Sequence, residues 1–325
     1  MKATVSVGVP VFNGEKSILR CLVGLQSQTC LPFEVIILDN CSTDKTDEIC
    51  LNFVKSHPNV TYIRNHRNIG GAANLNRALG AANGEYFMWA AHDDFHNPRF
   101  IESCLKLMSS NPTAVLCNTG MNICVDSIHD ITFRITMKTF KGIGNRVKRF
   151  KEVYLRFPSP GFYGLYRTSI IRQIREIQPI VGAEFPWALE LSLLGEFVSC
   201  DSFDFYYINS LSQMNSYETN ATDKLTILMK IRNFILRQLS YLAIVYQSKL
   251  TILEKTQLFL FIIARLFLES TLRLLFTVVV RLSGSSSKIV NFVVHKFLIN
   301  PNYFVHNYEL FKIREFPRIL KRWTF

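Results

Sequence analysis

Several features that would remove this chain from the ordinary globular enzymes are missing from its sequence. There is no collagen period, no heptad run and no low-complexity tract. With 48% apolar and 19% charged residues it is not a disordered chain. The eight cysteines are scattered and contain no C-x-x-C pair, which excludes a zinc ribbon. At 325 residues the chain can build a core without a disulfide framework. MKATVSVGVPVF holds no long apolar stretch before a cleavage site, so no signal peptide is expected and the reducing cytosol is the expected compartment. Within residues 256–280 the longest uncharged runs are nine and seven residues, against the ~20 needed to span a bilayer. No glycine-rich basic loop follows the first β-rich run. That place is VFNGEKS, with one glycine and one lysine, which argues against a nucleotidyltransferase.

What is present is distributed unevenly. The net charge is +12. Residues 1–214 carry 21 basic against 19 acidic side chains, and residues 215–325 carry 16 against 6. The basic third is also rich in Leu, Ile, Phe and Val. Nucleic acid usually meets basic residues among polar and aromatic ones, so no nucleic-acid partner is expected. A basic, apolar tail suggests an anionic membrane surface. Arg265, Glu269 and Arg273 recur at four-residue spacing and form one stripe. That stripe fits a helix lying in the interface, a helix buried in a bundle or dimer contact, or a spanning helix with a paired polar stripe.

The first hundred residues read as repeated strand–helix units. Thr4–Val11 is β-rich and stops at Asn13-Gly14, and Ser17–Gln28 has helical spacing. Glu34–Leu38 is a short apolar run of the kind found in buried parallel strands. A helix to about Lys55, a strand Val60–Arg64, a helix Ala72–Ala82 and a strand Tyr86–Ala90 follow. Four such units predict an α/β chain with a doubly wound parallel sheet. In such sheets ligands bind beyond the carboxyl ends of the strands, and three polar groups fall there: Asn13, Asp39-Asn40 and His92-Asp93-Asp94. Further on, Ala114–Cys117, Thr132–Ile135, Gly161–Tyr166 and Phe197–Ser199 read as strands, Lys138–Arg156 as a basic loop or helix, and Phe185–Leu194 as a helix. Beyond Thr219 the chain turns helical, over Leu225–Tyr246, Ile252–Leu282 and, after Gly284–Ser287, Ile289–Ile299.

An Asp-Asp pair at a strand end suits a divalent cation, because hard carboxylate oxygens bind Mg²⁺ or Mn²⁺, and these bind diphosphates. Capping of the helix that begins near Pro98 explains the pair equally well.

Taken together, VSVGVPVFNGE (5–15), CLVGLQSQT (21–29), FEVIILDNCSTDKT (33–46), RNIGGAANLNRAL (67–79) and GEYFMWAAHDDFHNPRFIE (84–102) resemble the amino-terminal half of family 2 glycosyltransferases. The resemblance implies the GT-A fold, a Rossmann-like, doubly wound, mostly parallel sheet, over residues 1–220. Residues 221–325 would form a basic, apolar helical extension. It implies transfer of a sugar, with inversion, from a nucleotide diphosphate to an acceptor; the basic, apolar tail adds the expectation of binding at the cytoplasmic face of a membrane and so of a glycan or lipid-linked acceptor. Residue by residue, Pro10, Val11, Phe12 and Asn13 match the segment lining base and ribose, and Asp39 matches the acid that accepts the base imide N–H. Asn40 stands where a second Asp is commoner. Asn68, Gly70 and Asn74 match the loop where small residues let the backbone approach the nucleotide. Asp94 matches the metal ligand of the D-x-D position, for Mn²⁺ or Mg²⁺, and Asp93 the contact to ribose or sugar. His92, in place of an acid, becomes a pocket-lining group.

The catalytic base is sought in GAEFPWALELSLLGEF (182–197), which resembles the stretch preceding an apolar helix where the family places an acid. Glu184 stands there and could take the acceptor's proton, or simply be a helix-start acid favoured by the dipole. Glu190 is its rival, about 240° further around the helix. The family usually has Asp at this point. Many relatives carry a His or Arg soon afterwards, and Tyr206–Asn215 has no basic residue. The charge of the diphosphate then falls to the metal or to residues 138–156. A nucleotide-sugar-binding protein without catalysis is the alternative function.

Overall fold

The computed structural model describes residues 4–30, 33–209 and 224–282. In chain order the elements are β1 (Val5–Val11), α1 (Ile18–Gln26), β2 (Phe33–Asp39), α2 (Thr46–Ser56), β3 (Val60–Arg64), α3 (Gly71–Ala81), β4 (Tyr86–Trp89), β5 (Phe95–His96) and α4 (Phe100–Ser109). Then come β6 (Ala114–Asn118), β7 (Met121–Val125), β8 (Ile131–Ile135), α5 (Arg146–Arg156), a 3₁₀ turn (Ser159–Tyr163), β9 (Leu165–Arg167), α6 (Thr168–Ile171), α7 (Glu184–Ser192), β10 (Glu196–Ser199) and β11 (Phe205–Asn209). Two long helices close the described chain, α8 (Lys224–Gln247) and α9 (Ile252–Leu282). The predicted break at 284–287, the helix Ile289–Ile299 and the expected boundary near 220 lie outside the described residues.

Seven strands form the central sheet in the order β10-β6-β9-β4-β1-β2-β3. All are parallel except β9, which runs against both β4 and β6. Alternation along a strand sends successive side chains to opposite faces, and each face has its own core. In β2, Val35 and Ile37 join α1, α2 and α4, while Ile36 and Leu38 join the cluster that holds α5 and α7. On β1 the side toward α3 is pared down to Gly8. A methyl group there would lie 2.8 Å from Ala78 Cβ and 3.0 Å from the Phe87 ring, so the glycine lets α3 press onto the strand. A second sheet, β5-β11-β7-β8, packs beyond the β4 end.

The stretch Gly161–Tyr166 is not one strand. Pro160 sits in the first turn of the 3₁₀ helix, where its fixed φ and missing N–H are harmless, and only Leu165–Arg167 pairs in the sheet. The basic segment resolves into α5, capped by the Asn145 side chain accepting from the Lys148 N–H at 2.9 Å. Helices α8 and α9 are packed on this unit. Tyr241, Ile244, Val245, Leu258 and Ile262 belong to the same buried cluster as α5 and α7. Tyr154 of α5 makes edge contacts with Tyr241 at 5.4 Å and Phe261 at 5.3 Å. No helix among the described residues is long and apolar enough to cross a membrane.

Candidate active site

The carboxyl ends of β1, β2 and β4 meet along one edge, and the loops that follow them are stitched together. Just past β1, Asn13 takes a left-handed backbone (φ 52°). Its N–H donates to Ser42 Oγ at 2.9 Å, and its Oδ1 accepts from the Thr43 N–H at 2.8 Å. Pro10 is partly exposed and Val11 is buried, so Val11 offers no side chain to a ligand, whereas Phe12 is 43% exposed.

Asp39 ends β2 with no exposed surface. Its Oδ1 accepts from the Ser42 N–H at 2.9 Å and the Ser42 hydroxyl. Its Oδ2 accepts from the Tyr62 hydroxyl at 2.6 Å and Arg64 Nη1 at 3.0 Å. A carboxylate has about four acceptor positions, and here four donors fill them. The sequence reading places Asp39 against the base; the structure commits it to its own loops and leaves no oxygen for a nucleotide. Ser42 lies three residues from Asp39, but Tyr62 and Arg64 come from β3, so no local motif announces the full set.

The neighbouring amides form a second closed network. Asn40 Oδ1 accepts from Asn65 Nδ2 (3.0 Å) and the Ile69 N–H (2.9 Å), and Asn40 Nδ2 donates to Asn68 Oδ1 (2.8 Å). Asn74 is buried, bridging Asn65 and the Leu38 carbonyl. The network brings Asn40, Asn68 and Asn74 together in space. Gly70 has φ 85°, which explains the glycine, and a side chain there would meet nothing within 4 Å. The amino end of α3 is therefore open beside the network.

The end of β4 is different. Asp94 is 1% exposed. Its Oδ1 accepts from the Ile208 N–H of β11 at 3.0 Å, but its Oδ2 is buried with no hydrogen-bond partner. Burial, and then the charge of Asp93, push its carboxyl well above the usual carboxylate range. Asp93 and His92 are partly exposed. His92 Nδ1 lies 2.9 Å from the Ser17 hydroxyl, and burial holds the imidazole below its ordinary value. Arg20 of α1 donates to the Asp93 carbonyl at 2.5 Å. Sequence reading missed Arg20, since one arginine in an amphipathic helix carries no signal of its own.

Tyr163 joins this end to α7. Burial raises its hydroxyl, and the charges of Asp94, Tyr207, Asp93 and Glu184 raise it further. The Ser-Pro-Gly sequence marks a turn but gives no sign of this role. Glu184 opens α7 and accepts from the Ser159 hydroxyl at 2.6 Å. Glu190 is paired with Arg175 at 2.9 Å. The arginines of the 138–156 segment are occupied: Arg146 by Glu254, Arg149 by the Ser192 and Ile143 carbonyls, and Arg156 by Glu152. Residues 210–215 lie outside the described residues.

The site is thus a strand-end edge with an acid pair, a nearby second acid and an open helix terminus. A segment of Escherichia coli chondroitin synthase is 36% identical over 120 residues, covering 37% of this chain and 17% of that protein. The chain spans two fifths or less of the length of each curated relative it matches. Two solved structures share the fold. Staphylococcus aureus TarS 1–349 in complex with UDP-GlcNAc aligns with a TM-score of 0.56 at 20% identity, over 79% of this chain and 70% of that one. The mannosyltransferase PcManGT from Pyrobaculum calidifontis, in complex with GDP-Man and Mn²⁺, aligns with a TM-score of 0.59 at 14% identity, over 96% and 85%. The expected GT-A architecture is the one found. The family model for glycosyl transferase family 2 matches residues 6–175, more than half of the chain, and the protein belongs to that family.

Proposed function

We infer that the chain is an inverting hexosyltransferase that takes a sugar from a nucleotide diphosphate, read here as a UDP-sugar, to a glycan or lipid-linked acceptor in surface polysaccharide or glycolipid assembly. The observation that carries the reading is the buried, unpartnered Oδ2 of Asp94 at a strand end, within electrostatic reach of the same phenol as Glu184.

The donor would lie past β1, β2 and β4. Phe12 offers an exposed ring to the base, and Asn68 and Gly70 line the open end of α3, above the buried Asn74 that ties this loop to β2. A carboxylate oxygen with no protein donor, backed by a second carboxylate, suits a hard cation, and Asp94 with Asp93 would hold Mn²⁺ or Mg²⁺ there. When bound, such an ion supplies Lewis-acid stabilisation of the leaving diphosphate. Arg20 fixes the Asp93 backbone and adds a positive charge beside the acid pair. His92 lines the pocket and is locked in orientation by Ser17. Glu184, oriented by Ser159, accepts the proton of the acceptor hydroxyl as its oxygen attacks the anomeric carbon. Glu190 is unsuited to this role because Arg175 holds it.

The partner surface is read from α8 and α9. Ile252, Leu253, Leu260 and Phe267 are exposed, and residues 215–325 carry the 16-to-6 basic excess. Apolar area plus net positive charge supports peripheral binding to an anionic cytoplasmic leaflet.

Calorimetric titration with UDP-, GDP- and dTDP-sugars, with and without Mn²⁺, tests the donor. The expected result is metal-dependent binding of a UDP-sugar that Asp94→Asn loses, while Glu184→Gln binds normally but turns over about 10²-fold more slowly. Metal-independent binding, or full activity of Glu184→Gln, overturns the respective assignment. Flotation with anionic vesicles tests the surface, and an intact protein that stays unbound at low salt removes it.

A further inference from the structure

The scattered cysteines do not remain scattered in the fold. Cys104 of α4, Cys117 of β6 and Cys200, one residue past β10, bring their sulfurs within 4.8 Å of one another. Parallel pairing explains the meeting. Cys117 stands opposite Val198, so Cys200, two residues on, returns to the same face of the sheet, and α4 covers that face. Among the described residues this is the one group of three such ligand atoms drawn so close. Linear spacing could not have shown it, because the three residues come from three different elements.

We propose that Cys104, Cys117 and Cys200 form a thiolate site for a soft d¹⁰ cation, Zn²⁺ in the first instance, separate from the hard-oxygen position at Asp94. Three features support it. The Cys117 and Cys200 sulfurs are 3.8 Å apart. Two sulfurs bound at about 2.3 Å to one tetrahedral zinc are separated by about 3.8 Å, whereas a disulfide needs about 2.05 Å. The sulfurs also find only long partners: Cys104 Sγ a carbonyl at 3.8 Å, and Cys117 Sγ a carbonyl and the Cys200 sulfur, both at 3.8 Å. Access is provided for, since Cys104 and Cys117 are fully buried while Cys200 is partly exposed, leaving a fourth position for water on its side.

The proton balance is favourable. Binding one M²⁺ forms three metal–sulfur bonds, releases the thiol protons to solvent and leaves a complex of net charge −1. No oxidant or reductant is required, and affinity rises with pH. The site would also be a clamp. Cys200 donates its N–H to the Asn118 carbonyl (2.8 Å), Gly120 donates to Ser202 (2.7 Å), and the chain then enters β11, which supplies the Ile208 N–H to Asp94. A cation at the cysteines would fix the root of the strand that backs the acid pair.

Titration of the metal-free full chain with Co²⁺ provides the test. One equivalent should produce a thiolate-to-cobalt charge-transfer band that Zn²⁺ bleaches. The band should persist in Asp94→Asn and Cys41→Ser and vanish in Cys200→Ser. Absence of the band, or its survival in Cys200→Ser, overturns the proposal. Because a cysteine variant can misfold, alkylation of Cys200 in the unaltered protein is followed by peptide mass in parallel. One equivalent of Zn²⁺ should slow it at least tenfold. An unchanged rate, or conversion of Cys117 and Cys200 to a disulfide that excludes the metal, overturns it as well.

Discussion

Asp39 and Asp94 both sit at strand ends with at most 1% of their surface exposed, yet they are built in opposite ways. Asp39 has a donor for every acceptor position, supplied by Ser42, Tyr62 and Arg64. Asp94 has one backbone donor on Oδ1 and nothing on Oδ2. A buried polar atom without a partner costs free energy, commonly about 1–3 kcal/mol. It persists where something other than packing maintains it. Position at a strand end therefore does not identify a ligand-binding acid. The state of its hydrogen bonds separates the two: the saturated acid is tied into its own loops, and the unsaturated one keeps an oxygen without a protein donor, as the proposed cation site requires.

The largest effect should come from breaking the scaffold. Asp39→Ala strips the Tyr62 hydroxyl, the Ser42 N–H and Arg64 of their acceptor together. A loss of about 3 kcal/mol is expected, because each buried donor left without an acceptor costs about 1–3 kcal/mol and Ser42 and Tyr62 lose theirs together, visible as a lower urea midpoint. A variant as stable as the parent would end the distinction drawn between the two acids. Asp94→Asn should behave in the opposite sense when divalent cations are chelated. Burial raises the folded-state pKa of Asp94 above its unfolded value near 3.8, so over that interval the folded protein holds a proton that the unfolded chain has released. Stability then falls as pH rises. The asparagine, which never ionises, should melt higher than the parent at pH 7, with the difference closing as pH drops toward 3.8. A lower melting temperature at pH 7 would show that the Asp94 charge is paid back within the fold.

Much of this was readable in the sequence, and what was not has a common cause. Val60–Arg64 and Ile252–Leu282 fall where periodicity puts them, because alternation and helical spacing are local properties of burial. The strand-end placement of Asn13, Asp39 and Asp94 followed from topology. The difference between Asp39 and Asp94 did not, because it depends on Tyr62, Arg64 and Ile208, which arrive through pairing of distant strands. Tyr163, Arg20 and the meeting of Cys104, Cys117 and Cys200 escaped for the same reason. The strands β5 and β7 escaped too, β5 being two residues long and β7 lying so close after β6 that no clear turn signal separates them.

A smaller change sharpens the comparison from within the Asp39 network. Tyr62→Phe removes one of the four donors and leaves the carboxylate with Ser42 and Arg64. The loss should be about 1 kcal/mol, the net worth of one such hydrogen bond. Urea unfolding of Tyr62→Phe beside Asp39→Ala measures it. If Tyr62→Phe costs as much as Asp39→Ala, the network works through that single bond and saturation is the wrong description.

The smallest effect is expected where saturation occurs without burial. Glu254 accepts from Arg146 Nε and Nη2, both at 2.8 Å, and from the Thr251 N–H and hydroxyl at 2.8 and 2.9 Å. It is as fully hydrogen-bonded as Asp39, but where α9 meets α5 its side chain keeps 22% exposure, against none for Asp39. The Arg146 bonds, with help from Thr251, hold its carboxyl down to about 2, against an ordinary value of 4.5. Between those values the unfolded chain binds a proton that the folded protein refuses, so the contribution is complete above pH 4.5 and is lost as pH falls toward 2. Solvent screens an exposed pair, so Glu254→Gln should lower the melting temperature only slightly at pH 7, and less still in high salt. The gap from the parent should narrow steadily below pH 4.5; that of Asp94→Asn also narrows toward low pH but has the opposite sign, the variant there being the more stable one. Melting curves of both variants over the same pH range decide the matter. Equal losses from Glu254→Gln and Asp39→Ala would mean that the number of donors alone sets what a carboxylate contributes. A small loss at Glu254 and a large one at Asp39 would mean that the four donors count only once water has been removed.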